Sequence, residues 1–232
     1  MLRQHPAALV AAVLGAVYAA TLAPSLTLWD SGEFLSAIRT LGVPHPPGTP
    51  LFVFVAHVWA WVLSPVDFTL AVNAGSAVAT AVGVAVLAHT FGRGLGPAVV
   101  VLAGVVAGTV SAVWQSATEA EVYGYALCLA AVMVCVGDHA GRYWSHRHRL
   151  LLAFLLGLSV PLHLSALVAG PAAVMLAATD AGGTRSWRAA LGPGAAWMAA
   201  VGVGTVSPLL VVVGGVVACA VALAPAGGPG SR

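Results

Sequence analysis

Residues 73–91 carry no Asp, Glu, Lys or Arg, and a lipid bilayer core of about 30 Å asks an apolar run of that length of a single helix. The run constrains the fold strongly, because backbone polar groups in lipid find partners only within a helix or a closed barrel. A barrel would need alternating segments of about 10 residues, whereas this run and those at 7–22, 97–114 and 209–224 are continuously apolar. The whole chain agrees. It is 60% hydrophobic and 7% charged, where a soluble domain is about 25% charged. The sequence therefore predicts an all-α integral membrane protein, a polytopic helical bundle.

Every cationic residue other than histidine is an arginine, and these arginines predict the topology. Arg3 precedes the first run, which places the N-terminus in the cytoplasm and the following loop outside. Arg93 then falls in a cytoplasmic turn, residues 115–124 face outward, residues 138–149 return to the cytoplasm, and Arg185 and Arg188 mark a further cytoplasmic segment. About eight spans satisfy this pattern, with only Arg39 outside. The arginines form no patch suited to nucleic acid. Cys128 and Cys135 lie about 10.5 Å apart along one predicted helix, too far to bridge. The N-terminal run is not followed by a small-residue cleavage site and soluble domain, so a retained first span is expected. Residues 1–224 read as one transmembrane domain and 225–232 as a flexible tail.

Against this background, residues 29–50 stand apart. They read W-D-S-G-E-F-L-S-A-I-R-T-L-G-V-P-H-P-P-G-T-P and hold Asp30, Glu33, Arg39 and His45. Phe34, Leu35, Ile38 and Leu41 share one side of a short amphipathic helix over 30–41, which suits the membrane surface. Four prolines make 42–50 a stiff non-helical connector, and 51–63, short for a span, reads as a second interfacial or re-entrant helix. Asp30 and Glu33 share a helix face. Asp30 or Ser31 as an N-cap, with Glu33 in the first turn, is the ordinary explanation for such a pair; ionisable groups at a lipid boundary point instead to function.

The segments W-D-S-G-E-F, L-G-V-P-H-P-P-G-T-P-L, V-N-A-G-S-A and E-V-Y-G-Y-A-L, in that order, resemble a membrane glycosyltransferase family formerly catalogued as a domain of unknown function. Its vertebrate member is a protein O-mannosyltransferase acting on plexin-type receptor domains. The resemblance covers 29–163 and implies the GT-C plan: a catalytic acid in the first outward loop and interfacial helices before the second span. It implies an enzyme that moves a hexose, with mannose as the suggested sugar, from a polyprenyl-phosphate donor to an extracytoplasmic acceptor, protein Ser/Thr or glycan, with inversion. Asp30 corresponds to the general base, with Glu33 and Glu121 as further catalytic acids. Arg39, His45, Glu119, Tyr123 and His163 are the substrate-binding candidates, the cation and imidazoles for the leaving phosphate.

Each of these has a plainer explanation. Arg39 can snorkel from an interfacial helix, His45 can lock the connector, Glu119 can be a solvated neighbour, and Tyr123 and Tyr125 can anchor at the interface. His163, in P-L-H-L-S, departs from the family's usual Asn-His-Leu-Thr. His139, His146 and His148 with their arginines read as a headgroup-facing basic loop. No metal site or cofactor is expected, with a divalent cation left open. Family members continue through further spans and a soluble region, so a truncated product is also open. The expected location is a cell membrane, with the site outward. Two other classes remain: a small transporter using Asp30, Glu119 and Glu121, and a noncatalytic membrane scaffold.

Overall fold

The computed structural model describes residues 5–223; Arg3, which sets the expected orientation, and the tail expected over 225–232 lie outside them. The described residues divide into two compact units. The first runs to Ala131 and includes Pro161–His163; the second comprises Val132–Val160 and the chain from Leu164 onward.

Seven helices build the first unit: α1 (Pro6–Ala20), α2 (Ser31–Thr40), α3 (Pro50–Val62), α4 (Phe68–Phe91), α5 (Pro97–Thr109), α6 (Ser111–Thr118) and the start of α7 (Tyr123–Arg142). Proline opens α1, α3 and α5, where its missing N–H has no intrahelical partner to lose. Asp67 caps α4 by accepting from Leu70 N at 3.1 Å. Helix α2 stops when Leu41 turns left-handed at φ 53° and Gly42 N donates back to Ala37 O, a Schellman ending formed without the usual glycine at the left-handed position.

Helix α4 packs against α1, α3, α5 and α6. Gly104 and Gly108 on α5 lie against Val10, Leu14 and Tyr18 of α1, so the two backbones approach closely, as small residues four apart permit. Tyr18 Oη completes that contact by donating to Gly108 O at 2.7 Å. Along α4 a stripe of buried polar side chains, Asn73, Ser76 and Thr80, shares one face, and Gly124 of α7 sits against Ser76 and Thr80.

In the second unit the remainder of α7 is followed by α8 (His146–Leu162), a 3-10 turn (Leu164–Ala169), α9 (Gly170–Ala177), α10 (Trp187–Gly204) and α11 (Pro208–Leu223). Helices α10 and α11 form a close pair, with Gly214 set against Ala195 and Ala199 and Gly202 against Leu210 and Val211.

The chain is all-helical among its described residues apart from one isolated bridge, Thr179 to Arg185. Two helices, Phe68–Phe91 and Tyr123–Arg142, are long and apolar enough to cross a membrane. A third span results if α5 and α6, bent by 71° at their junction, count as one. The apolar runs suggested about eight. The difference arises because runs counted as spans, 7–22 among them, form helices such as the 15-residue α1, below the length of about 20 that an untilted span uses; α3, at 13 residues, is short as expected of 51–63. The presumed loop at 138–149 is also mostly helical. Arg142 Nε donates to Asp138 Oδ1 at 2.8 Å, one turn away, which carries α7 past its apolar part.

Candidate active site

The site is built where α2 begins. Trp29, just before it, has φ 63°, a left-handed conformation that costs a residue other than glycine roughly 1–3 kcal/mol. That turn presents Asp30 at the N-cap position. Its side chain makes no capping hydrogen bond and is exposed, so capping does not account for it. One turn on, Glu33 also faces solvent while Phe34, Leu35 and Ile38 are buried, as the amphipathic pattern requires. Helix α3 anchors this arrangement: His57 Nδ1 on α3 donates to the Ile38 carbonyl at 2.7 Å.

The proline-rich connector then folds back over the first turn of α2. The Glu33 carboxylate accepts from both the backbone N and the ring Nδ1 of His45, the latter at 2.9 Å. These bonds hold Glu33 below the usual carboxylate range and raise His45 above the usual imidazole value, with the charges of Asp30 and Glu121 adding to the second effect. Below His45 runs an aromatic column: Phe34 lies 5.7 Å from the His45 ring, Phe52 meets Phe34 edge-on at 5.3 Å, and Tyr125 meets Phe52 at 5.2 Å. The column links connector, α2, α3 and α7, which pins the elements that carry the site.

Glu121 enters from the turn between α6 and α7. Its backbone is clamped from both sides by Ser76 Oγ, which donates to Glu121 O at 3.1 Å and accepts from Glu121 N at 3.3 Å. One carboxylate oxygen is buried without a hydrogen-bond partner. Burial, and then the negative charges of Asp30 and Glu119, push Glu121 up to about 7. His163 lies beside this segment, its ring 5.3 Å from that of Tyr123 at a steep angle. Burial and the charge of His45 lower His163 below the ordinary histidine value.

Asp30, Glu33, His45, Glu119, Glu121, Tyr123 and His163, drawn from three separated parts of the chain, thus gather in one neighbourhood of the first unit. Arg39 does not join them. It sits near the far end of α2, about 13 Å along the helix from Asp30, with its guanidinium 5.1 Å over the Phe68 ring, where a cation–π contact occupies it. Ser76 and Phe52, to which the sequence reading gives no role, support the site, and Tyr125, expected only as an interfacial anchor, joins them in the aromatic column. The legible signal was the i, i+3, i+7 spacing of Asn73, Ser76 and Thr80 on an otherwise apolar helix, which marks a polar face needing a partner.

The group can do three things chemically. Asp30 offers an exposed carboxylate that can accept a proton. Glu121 exchanges a proton near neutral pH, and the two imidazoles differ, with His45 favouring the cation and His163 the neutral ring. Asp30, Glu33 and His45 also each offer a ligand atom within 4.8 Å of the others. A cation there would have to displace the Glu33–His45 hydrogen bond.

Fold and cluster together define an all-helical membrane protein with an acid–imidazole site assembled at helix ends. Residues 30–183 match the family model described as the protein O-mannosyl-transferase TMEM260 N-terminal domain, and the chain belongs to that family. It is 49% identical over 49 residues to the protein O-mannosyl-transferase TMEM260 of Mus musculus, and 36% identical over 47 residues to that of Dictyostelium discoideum. Those stretches are 21% and 20% of this chain, and 7% and 6% of the two relatives. No solved structure matches.

Proposed function

We propose that the chain carries the catalytic site of a GT-C-type glycosyltransferase, moving a hexose, with mannose first in line, from a polyprenyl-phosphate donor to Ser or Thr of an extracytoplasmic protein. The observation that supports this most is the convergence of Asp30 and Glu121: the charge of Asp30 acts on Glu121, and both act on His45, although about 90 residues separate the two acids. Helix capping alone gives two such acids no reason to meet. A transferase does, because an acceptor hydroxyl, an anomeric carbon and a phosphate must be held in contact.

In this reading the Asp30 carboxylate takes the proton of the acceptor hydroxyl. The acceptor oxygen forms a bond to the anomeric carbon as the bond from that carbon to the phosphate oxygen breaks, and the electron pair leaves with the polyprenyl phosphate. In-line attack inverts the carbon. His45, whose protonated form is favoured by Glu33, and the ring of His163, whose neutral form is favoured by burial, face the charge that gathers on the leaving phosphate. Glu121, ionising near neutrality, positions the acceptor. The exposed Leu26, Leu28 and Trp29 beside Asp30 suit a lipid interface, where a donor with a buried tail presents its sugar. The eight-span, outward-facing topology belongs to the same proposal.

The acids lie at helix ends rather than within a broken span, which favours transfer over the transporter alternative. The test is reconstitution of the purified chain with polyprenyl-phosphate mannose and a Ser/Thr-containing acceptor protein. Mannose appearing on the acceptor, and lost with Asp30→Asn, is expected. A folded chain that neither transfers the sugar nor binds the donor overturns the proposal.

A further inference from the structure

The second unit contains a cavity of about 240 Å³ between the first turns of α8 and α10 and the end of α11. His146 and Arg149 line it from α8, Arg188 from α10, and Leu150 and Val221 supply apolar wall. Arg149 is half-buried, its guanidinium stacked 4.7 Å over Trp144, and its Nη1 is fully buried with no hydrogen-bond partner. Arg188 is exposed at the rim, 5.6 Å over the Trp187 ring. None of the lining residues is acidic.

A guanidinium donor buried without an acceptor is costly, and an acceptor anion would remove the cost. The two arginines can offer several N–H donors in the planar arrangement that fits phosphate. Helix α10 has no side-chain cap, so the positive end of its dipole also favours an anion there. The apolar wall separates this site from a plain phosphate cradle: Leu150 and Val221 have no use for a soluble anion, but they can pack an acyl chain attached to one.

We propose that this cavity binds the phosphate of an anionic phospholipid, with the headgroup on Arg149 and Arg188 and the proximal acyl chain along α11. This site shares no residue with the acid–imidazole cluster and does not depend on the proposed transfer reaction.

The full-length protein, purified in a neutral detergent, is titrated with short-chain phosphatidylglycerol, short-chain phosphatidylcholine and inorganic phosphate, with binding read by native mass spectrometry and by the shift in Tm. Phosphatidylglycerol is expected to bind at least tenfold more tightly than phosphatidylcholine, and Arg188→Gln to weaken it about tenfold. Arg149→Gln should weaken it further; Arg188→Gln, at an exposed rim position, reports even if the buried substitution prevents folding. Equal affinity for the two lipids, or full affinity in Arg188→Gln, overturns the proposal. Inorganic phosphate binding as tightly as phosphatidylglycerol overturns the lipid assignment and makes the site one for a soluble phosphate.

Discussion

Glu33 and His45, twelve residues apart, are joined twice, the carboxylate of one accepting from both the backbone and the ring nitrogen of the other. This double bond turns a proline-rich connector into one wall of the site. It is strongest while both groups are charged. Glu33, lowered by the contact, supports the fold above its unfolded value and loses that support as pH falls through its folded value; His45, raised by the contact, supports it at lower pH and loses that support as pH rises through its folded value. The pair therefore holds the connector best in mildly acidic to neutral solution.

Asp30→Asn should reduce transfer by about 10²–10⁴, the usual contribution of a general base. Abundance and Tm should stay near wild type, because Asp30 makes no side-chain capping bond. A purified variant with normal turnover would exclude Asp30 as the base.

Glu121→Gln should change stability in a pH-dependent way. The folded value of about 7 lies above the ordinary 4.5, so the folded state keeps its proton longer than the unfolded chain and loses stability as pH rises through 7. The variant cannot ionise. Its Tm should exceed wild type at pH 8 by a few degrees, about the shift that one kcal/mol or so produces in a chain of this size, and match it near pH 4.5. An equal difference at both pH values would show that burial does not raise Glu121.

Ser76→Ala removes the hydroxyl that clamps Glu121 from both sides. Because Ser76 is fully buried, the cost should be about 1–3 kcal/mol, visible in thermal unfolding, and Ser76→Thr, which keeps the hydroxyl, should recover part of it. Transfer should fall through kcat more than KM. An unchanged kcat would mean that Glu121 needs no clamp.

A chelator tests the Asp30, Glu33 and His45 group. With Glu33 and His45 bonded to each other at 2.9 Å, transfer should proceed in excess EDTA within about twofold of the untreated rate, a free-energy difference of about 0.4 kcal/mol. A loss above tenfold, restored by added Mn²⁺ or Mg²⁺, would assign these residues to a cation instead.

The arginine distribution predicts opposite sides of the membrane for α2 and for the start of α8. Single cysteines replacing Ser36 and Arg147, both exposed, with the native cysteines removed, should react with an impermeant reagent from opposite faces of intact cells and inverted vesicles. Ser145 is the poorer probe because its hydroxyl bonds His148 in the first turn of α8. Labelling of both from one face would invert the proposed topology.

The sequence by itself determined the membrane class, the amphipathic α2, the non-helical connector and the family. The first three follow from composition, from the 3.6-residue period and from proline's missing N–H, all local properties; the family follows from four motifs in their order along the chain. It also singled out Asp30, Glu33, His45, Glu121 and His163, because charge is conspicuous in an apolar chain. Span number was less legible: hydropathy sums over a run, whereas the bend between α5 and α6 and the short length of α1 depend on packing and on backbone turns. Only the tertiary structure decided partners. It placed Arg39 on Phe68 instead of among the acids, paired Glu33 with His45, and buried one Glu121 oxygen while Ser76 held the backbone around it. Such contacts join residues from 12 to 45 positions apart, and no local pattern encodes which polar group will meet which charge.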